Sequence, residues 1–293
     1  KRGTVRLETK AFDQFEHQLT TLDLHAGGEP IRLLIDGLAP IPGRTINDKR
    51  LFLSTQFDHI RLLLTREPRG HRDMFAAVVT DPVSADGDFG IVFMDARRYP
   101  YMCGHGTIGA VTAFIEMGWL GARVPTTPGA AVSVVVDSPS GPITTRAQVG
   151  TREDGRPRVE SVAIRLESAF VFLLDRPLQV PELGEITVDV VFAGGFFVMV
   201  SNQQLDGLAL TPENARELIR LGMAITDAAN RQLEVQHPVR SYIDTVDVVE
   251  FYDPGGDAEG RGRNAVIYGE RHIDRSACGT GTSAKMALLH RRG

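Results

Sequence analysis

One short pattern occurs twice in this chain and fixes most of what it can become. A strand-like run, Phe89-Gly90-Ile91-Val92-Phe93-Met94-Asp95, is followed by a loop, then by Met102-Cys103-Gly104-His105-Gly106-Thr107 and a helical stretch. The second copy runs Asn264-Ala265-Val266-Ile267-Tyr268-Gly269-Glu270, a loop, then Ala277-Cys278-Gly279-Thr280-Gly281-Thr282 and a helical stretch through Leu289. Each copy reads strand, loop, Cys-Gly-x-Gly-Thr, helix. Cys103 and Cys278 are the chain's two cysteines, and more than half of its 293 residues separate them. An internal repeat of this kind implies two lobes related by a pseudo-twofold axis, with two cysteine-led helix N-termini facing one cleft.

The remaining pattern is that of a mixed α and β enzyme core. Short β-branched runs alternate with helical stretches, punctuated by 30 Gly and 16 Pro. Strands are expected at Ile31–Ile35, Ile60–Thr65, Met74–Val79, Gly90–Met94, Val132–Val136, Thr187–Phe192, Phe196–Val200, Thr245–Phe251 and Asn264–Tyr268. A helix is expected from about Thr107 to Trp119, and another after Thr211 as N-cap with Pro212 at the first helical position. Thr151–Pro157 reads as a polar hairpin tip or inter-lobe connection, and Gly255–Arg263 as an exposed loop. The expected fold class is α+β, in two pseudo-symmetric lobes. Each is a curved, mostly antiparallel sheet around a central helix, with the active site in the cleft between them. The lobes are placed at residues 1–137, carrying Cys103, and 138–293, carrying Cys278.

Composition removes several function classes. Lys plus Arg is 32 against 37 Asp plus Glu, a net charge of -5, which supplies no broad positive field for nucleic acid. The longest apolar runs, such as Gly194–Val200, fall far short of the roughly 20 residues of a membrane span. With no apolar stretch in the first 20 residues, a cytoplasmic setting is expected. Two cysteines make neither a disulfide framework nor a four-thiolate zinc site, and the eight histidines are scattered without an H-E-x-x-H pattern, so no metal is implied. Lysine near the two motifs is limited to Lys285, leaving a pyridoxal Schiff base without a strong candidate. The expected chemistry needs no cofactor.

A cysteine at a helix N-terminus lies near the positive end of the macrodipole and unpaired N–H groups, which favour thiolate. The glycines that follow leave those N–H groups open to an anion such as a carboxylate. Two such cradles around one small acid would set a sulfur on each face of its α-carbon. One thiolate would remove a proton while the opposite thiol delivers one, which is two-base racemisation or epimerisation. A lone buried cysteine is usually an inert small hydrophobe; a matched pair opening the same glycine motif reverses that expectation. A disulfide between Cys103 and Cys278 would be an oxidised, inactive form. Gly104–Gly109 and Gly279–Ala284 also satisfy G-x-G-x-x-G/A, but neither is followed about 20 residues on by a strand-ending acid, which argues against a dinucleotide site.

At these residues the chain resembles the proline racemase family, which includes proline racemases, 4-hydroxyproline 2-epimerases and trans-3-hydroxy-L-proline dehydratases. The resemblance runs from about Leu22 onward and is carried by D-L-H-A-G-G-E-P at Asp23–Pro30, R-G-H-R-D-M-F at Arg69–Phe75 and D-F-G-I-V-F-M-D at Asp88–Asp95. It continues in M-C-G-H-G-T-I-G at Met102–Gly109 and D-R-S-A-C-G-T-G-T-S-A at Asp274–Ala284. It implies the two-lobed architecture shared with diaminopimelate epimerases, a homodimer, and Cys103 and Cys278 as the acid/base pair. Gly104, His105, Gly279 and Thr280 would hold the substrate carboxylate, with His105 and Asp274 near the ring nitrogen. The bland alternatives are a solvent-turned His105 and a loop-capping Asp274. Family members continue several dozen residues beyond the second helix, so a segment absent from this chain is expected to complete the first lobe.

Phe75, Val248 and Tyr268 align with the family's ring pocket and resemble the apolar and aromatic set of proline racemases, unless Phe75 and Val248 are ordinary core. An apolar wall favours an unsubstituted ring, because a buried hydroxyl without a partner is costly. The phenol of Tyr268 could meet a 4-hydroxyl, which keeps 4-hydroxyproline open beside proline. Cys278 argues against the dehydratases, where threonine usually replaces the second cysteine. From another class, a non-catalytic small-anion binding protein could use the same helix ends. Asp23, His25 and Glu29 are given a structural role in the first lobe. The partner expected is a small imino acid.

Overall fold

The structure, a computed structural model, describes residues 18–125, 127, 129–255 and 261–293. Its strands form two sheets. The first runs in sequence order through β1 (Thr20–Ala26), β2 (Glu29–Asp36), β3 (Ala76–Thr80), β4 (Phe89–Met94), β5 (Ala130–Ser138), β6 (Gly141–Thr151) and β7 (Pro157–Arg165). The second holds β8 (Phe170–Val180), β9 (Gly184–Phe192), β10 (Phe196–Ser201), β11 (Val246–Tyr252), β12 (Asn264–Tyr268) and β13 (His272–Ile273), in the spatial order β13-β12-β11-β10-β9-β8. Pairing is antiparallel except at β2·β3, β4·β5 and β10·β11.

The topology extends the sequence repeat well upstream of the cysteines. In the first lobe a hairpin β1–β2 leads through α1 (Ile46–Gln56) and α2 (Asp58–Thr65) to a parallel neighbour β3, then the hairpin β3–β4, then the Cys103-led α3 (Gly104–Glu116). In the second, the hairpin β9–β10 leads through α4 (Ala215–Gln232) to a parallel neighbour β11, then β11–β12, then the Cys278-led α5 (Gly279–Arg292). The Cys-Gly-x-Gly-Thr string is thus the end of a longer structural unit.

Each sheet is covered on both faces, and period-two alternation divides its side chains between the layers. In β4, Phe89, Ile91 and Phe93 join the core under α3, while Val92 and Met94 join the core under α1 and α2. In β10, Phe196, Val198 and Val200 pack toward α4, and Phe197 and Met199 toward α5. Small residues let α3 settle onto its sheet: a Cβ on Gly109 would lie 2.7 Å from Ile31 Cγ2. Among the described residues, no helix is long and apolar enough to cross a membrane.

Two expectations are corrected. Ile60–Thr65 is not a strand but the body of α2, which buries Ile60, Arg61, Leu64 and Thr65 at helical spacing and is fixed by an Arg61–Asp58 ion pair of 2.7 Å. The first sheet does not stop near residue 137: β5 turns at Ser138–Gly141 into β6 and then β7, so Gly141–Arg165, assigned to the second lobe from sequence, belongs to the first sheet. Helix α1 was not foreseen, although the Thr45/Asp48 capping box marks its start. The hairpin tip at Thr151–Pro157 joins β6 to β7. Of the loop expected at Gly255–Arg263, residues 256–260 lie outside the described residues.

Candidate active site

Cys103 and Cys278 each occupy the N-cap of their helix, where the sulfur accepts the N–H of the third helical residue. Gly106 N donates to Cys103 Sγ at 3.3 Å, and Gly281 N donates to Cys278 Sγ at 3.3 Å. The residue two positions on flanks each sulfur: His105 Nδ1 lies 3.2 Å from Cys103, and Thr280 Oγ1 lies 3.5 Å from Cys278. The backbones differ. Cys103 is extended at φ -147°, whereas Cys278 sits at φ 50°, a conformation rare for a side chain with a Cβ. Both thiols are free.

One cavity between the lobes collects all ten residues singled out from sequence. Cys103, Gly104, His105 and Phe75 line it from the first lobe, and Val248, Tyr268, Asp274, Cys278, Gly279 and Thr280 from the second. The N–H groups of Gly104, His105, Gly279 and Thr280 open their helices, where an α-helix supplies no acceptor. A Cβ on Gly104 or Gly279 would meet nothing within 4 Å, so both glycines face open space. The two helix starts therefore present their N-terminal amides to the same cavity, and such helix ends attract anions.

The apolar wall is equally specific. Phe75, 2% exposed, packs edge-on to His105 with centroids 4.8 Å apart and to Tyr268 at 6.4 Å. Tyr268 stacks on His272 at 4.5 Å. Its hydroxyl donates to Glu29 Oε1 at 2.9 Å. Asp274 is drawn into a turn, its Oδ1 accepting from the Ser276 N–H and Oγ–H at 2.7 Å each, and Ser276 Oγ accepts from Cys278 N at 3.1 Å. Asp274 does cap its loop, and it lines the cavity as well.

Glu29 is the residue whose role sequence reasoning missed. It has no exposed surface and reaches across the cleft from β2: besides Tyr268 it takes the Arg275 N–H at 2.9 Å and lies 2.6 Å from His272 Nε2. Burial opposes its charge, but His272 and the Arg275 amide outweigh that and hold the carboxyl down at about 2. The signal for His272 was present in the hairpin register, which sets it opposite Tyr268 around Gly269. Asp23 and His25 do have local structural roles: Asp23 binds Arg32 bidentately at 2.8 Å, and His25 Nδ1 accepts from Gly28 N at 3.3 Å. At the other rim, Arg98 crosses to Asp247 at 2.5 Å, and both line the cavity.

The electrostatics differ from the simple macrodipole expectation. Burial pushes both thiols well above the ordinary thiol value, and the Asp274 carboxylate adds to this at both sulfurs. Glu29 and Cys278 raise Cys103 further, and Glu250 raises Cys278. The Gly106 and Gly281 N–H bonds work in the opposite direction but do not prevail. Their own surroundings therefore favour the thiol form of both sulfurs. Burial also lowers His105, against Glu29, Asp274 and the Pro30 carbonyl, which leaves a neutral imidazole beside Cys103.

Fold and site together define a two-lobed α+β protein with a cysteine-led helix from each lobe facing one cavity. The profile described as Proline racemase matches residues 21–293, and the chain belongs to that family. It is 41% identical over 280 residues to a proline racemase of Clostridioides difficile, covering 96% of this chain and 80% of that protein. It is 36% identical over 272 residues to a 4-hydroxyproline 2-epimerase of Streptosporangium roseum, covering 93% and 78%. A crystal structure of a hydroxyproline epimerase from Agrobacterium vitis with bound trans-4-hydroxy-L-proline superposes with a TM-score of 0.83 at 30% identity, covering 95% of this chain and 78% of that one. The family and its named racemases and epimerases make this chain an isomerase.

Proposed function

We propose that this chain inverts the α-carbon of proline without a cofactor, using Cys103 and Cys278 as the acid/base pair. The observation that carries the reading is the mounting of two thiols on equivalent helix N-termini around one cavity, each beside a pair of bare amides. The substrate carboxylate would take the N–H groups of Gly104, His105, Gly279 and Thr280. Its ring nitrogen, a cation, would lie by Asp274 and neutral His105.

That cation offsets the carboxylates around the sulfurs. Asp274 raises both thiols, and a positive charge set against it offsets that influence, so that one sulfur gives up its proton when substrate is bound. The thiolate on one face then removes the α-proton while the thiol on the other face donates its own, and the two sulfurs exchange protonation states with each turnover. The carboxylate, held by helix N-termini, gains negative charge as the α-proton leaves, and the amide dipoles stabilise it there.

Proline is favoured over 4-hydroxyproline by the wall of Phe75 and Val248 and by the engagement of Tyr268, whose single hydroxyl proton goes to Glu29. At that phenol a 4-hydroxyl would find only an acceptor, since the phenolic proton is committed to Glu29. The second reading, 4-hydroxyproline 2-epimerase, is favoured by the likeness to the hydroxyproline epimerase that binds trans-4-hydroxy-L-proline. The test is incubation in deuterium oxide with L-proline and, separately, trans-4-hydroxy-L-proline, following optical rotation and deuterium at the α-carbon. Inversion with exchange of proline is expected. Inversion mainly of the hydroxylated substrate establishes the second reading, and exchange of neither overturns both.

A further inference from the structure

The two halves of the repeat differ beneath the sulfur. A Cβ on Gly106 would lie 3.1 Å from Cys103 Sγ and 3.1 Å from the Phe93 ring. At the equivalent Gly281 a Cβ would lie 3.2 Å from Cys278 Sγ, 3.2 Å from Val266 Cγ2 and 2.5 Å from Glu250 Oε2. The first helix start rests on an aromatic ring, and the second on a carboxyl from β11. Glu250 has no exposed surface. Its Oε1 accepts from Asn264 Nδ2 at 2.9 Å, and Oε2, directed at the first turn of α5, has no hydrogen-bond partner among the described residues.

The groups around this carboxyl come from every neighbouring element. Asn264 faces it from β12, Lys285 and Cys278 from α5, and Tyr252 from its own strand, while its partner on β10 is the uncharged Met199. Burial raises Glu250 to about 7, against Asn264 and Lys285. It therefore changes charge in the neutral range beneath the helix start that carries Cys278.

We propose that Glu250 is a positioning residue acting through Cys278: its ionised carboxyl, under the second helix start where the first has the Phe93 ring, opposes the thiolate at that sulfur. A negative charge in a desolvated site opposes a second one nearby far more than it would in water. The two sulfurs of a pseudo-symmetric enzyme must begin each turnover in opposite states, and the carboxyl under one of them gives that sulfur a pH dependence of its own. The inference rests on the two-thiol reading.

Because proline enantiomers have equal free energy, kcat/KM stays equal in the two directions in any variant, so the asymmetry must be read on the sulfurs. The experiment measures iodoacetamide alkylation of Cys103 and Cys278 separately, by peptide mass spectrometry from pH 6 to 10, in wild type and Glu250→Gln. Removing the charge is expected to accelerate alkylation of Cys278 about tenfold near pH 8.5, one pKa unit's worth, with Cys103 within twofold. An unchanged Cys278, or both sulfurs accelerated alike, overturns the proposal. Should Glu250→Gln not fold, the infrared carboxylic-acid band of wild type serves instead: a band titrating near neutral pH that moves upward in Lys285→Met is expected, and its absence overturns the proposal. Failure of the two-thiol reading is separate, since it shows as undiminished racemisation by Cys278→Ser whatever the alkylation rates.

Discussion

Tyr268 donates its phenolic hydrogen to Glu29 at 2.9 Å, a bond that joins the two lobes at the wall of the cavity. Tyr268 belongs to β12 and Glu29 to the start of β2, so ring-pocket geometry and lobe apposition depend on one contact. The same carboxyl also receives the Arg275 amide and faces His272, so it organises the segment that leads from β12 to Cys278.

If the phenol serves Glu29 and not the substrate, Tyr268→Phe should cost stability without changing ring preference. Losing one hydrogen bond to a buried charged acceptor is expected to lower stability by about 1–3 kcal/mol. The ratio of proline to trans-4-hydroxyproline turnover should stay within about threefold of wild type. A selective collapse of hydroxyproline turnover, measured by polarimetry on both substrates, would contradict this assignment.

The pH dependence of Glu29 has a definite sign. Its folded value, about 2, lies below the ordinary 4.5, so its stabilisation is fully present above 4.5 and is lost as pH falls from there toward 2. The shift corresponds to about 3 kcal/mol. Glu29→Gln should therefore be less stable than wild type at pH 7, and the gap in thermal midpoint should narrow steadily between pH 5 and 3. Glu250 has the opposite sign: raised to about 7, it stabilises most below 4.5 and loses that contribution as pH rises through 7. A gap for Glu29→Gln that is constant over this acid range would refute the argument.

Glycines at the two helix starts should separate folding from binding. Gly104 has open space before it, so Gly104→Ala should fold with a thermal midpoint within about 2 °C of wild type while its methyl group intrudes on the carboxylate cradle. A rise in KM of about tenfold or more is expected. Gly281→Ala instead drives a methyl group to 2.5 Å from Glu250 Oε2 and should destabilise the fold itself. Equal behaviour of the two variants in thermal melts and steady-state kinetics would show that these positions are not doing different jobs.

Local patterns carried the site into view, and long-range pairing decided what they missed. Cys103, Gly104, His105, Cys278, Gly279 and Thr280 follow from a contiguous string whose glycines and N-cap sulfur act within one helical turn. Phe75, Val248, Tyr268 and Asp274 came through family resemblance and meet the string in one cavity. Glu29 could be named but not understood, because its partners Tyr268, His272 and Arg275 lie more than 200 residues away. Ile60–Thr65 was misread because a short apolar run fits strand and helix alike, and three leucines in a row favour helix. The lobe boundary was misplaced because β6 alternates exposed with buried residues and β7 exposed with half-buried ones, and both extend the first sheet by hairpins that no apolar run announces.

The two cysteines are expected to act as a unit. Each is at least half-buried at a helix N-cap, and serine preserves the capping hydrogen bond from Gly106 or Gly281, so Cys103→Ser and Cys278→Ser should fold normally. Inversion needs a base on one face and an acid on the other, and serine is too weak an acid to share its proton at the required rate. Each single variant should lose about 10³-fold or more in kcat/KM for racemisation, within the range spanned by general acid/base groups. The double variant should lose little beyond that, because removing either member already disables the pair. Costs that add across the two positions in polarimetric rates, or a single variant with near-normal turnover, would assign the chemistry to one residue and leave the pseudo-twofold arrangement without its catalytic meaning.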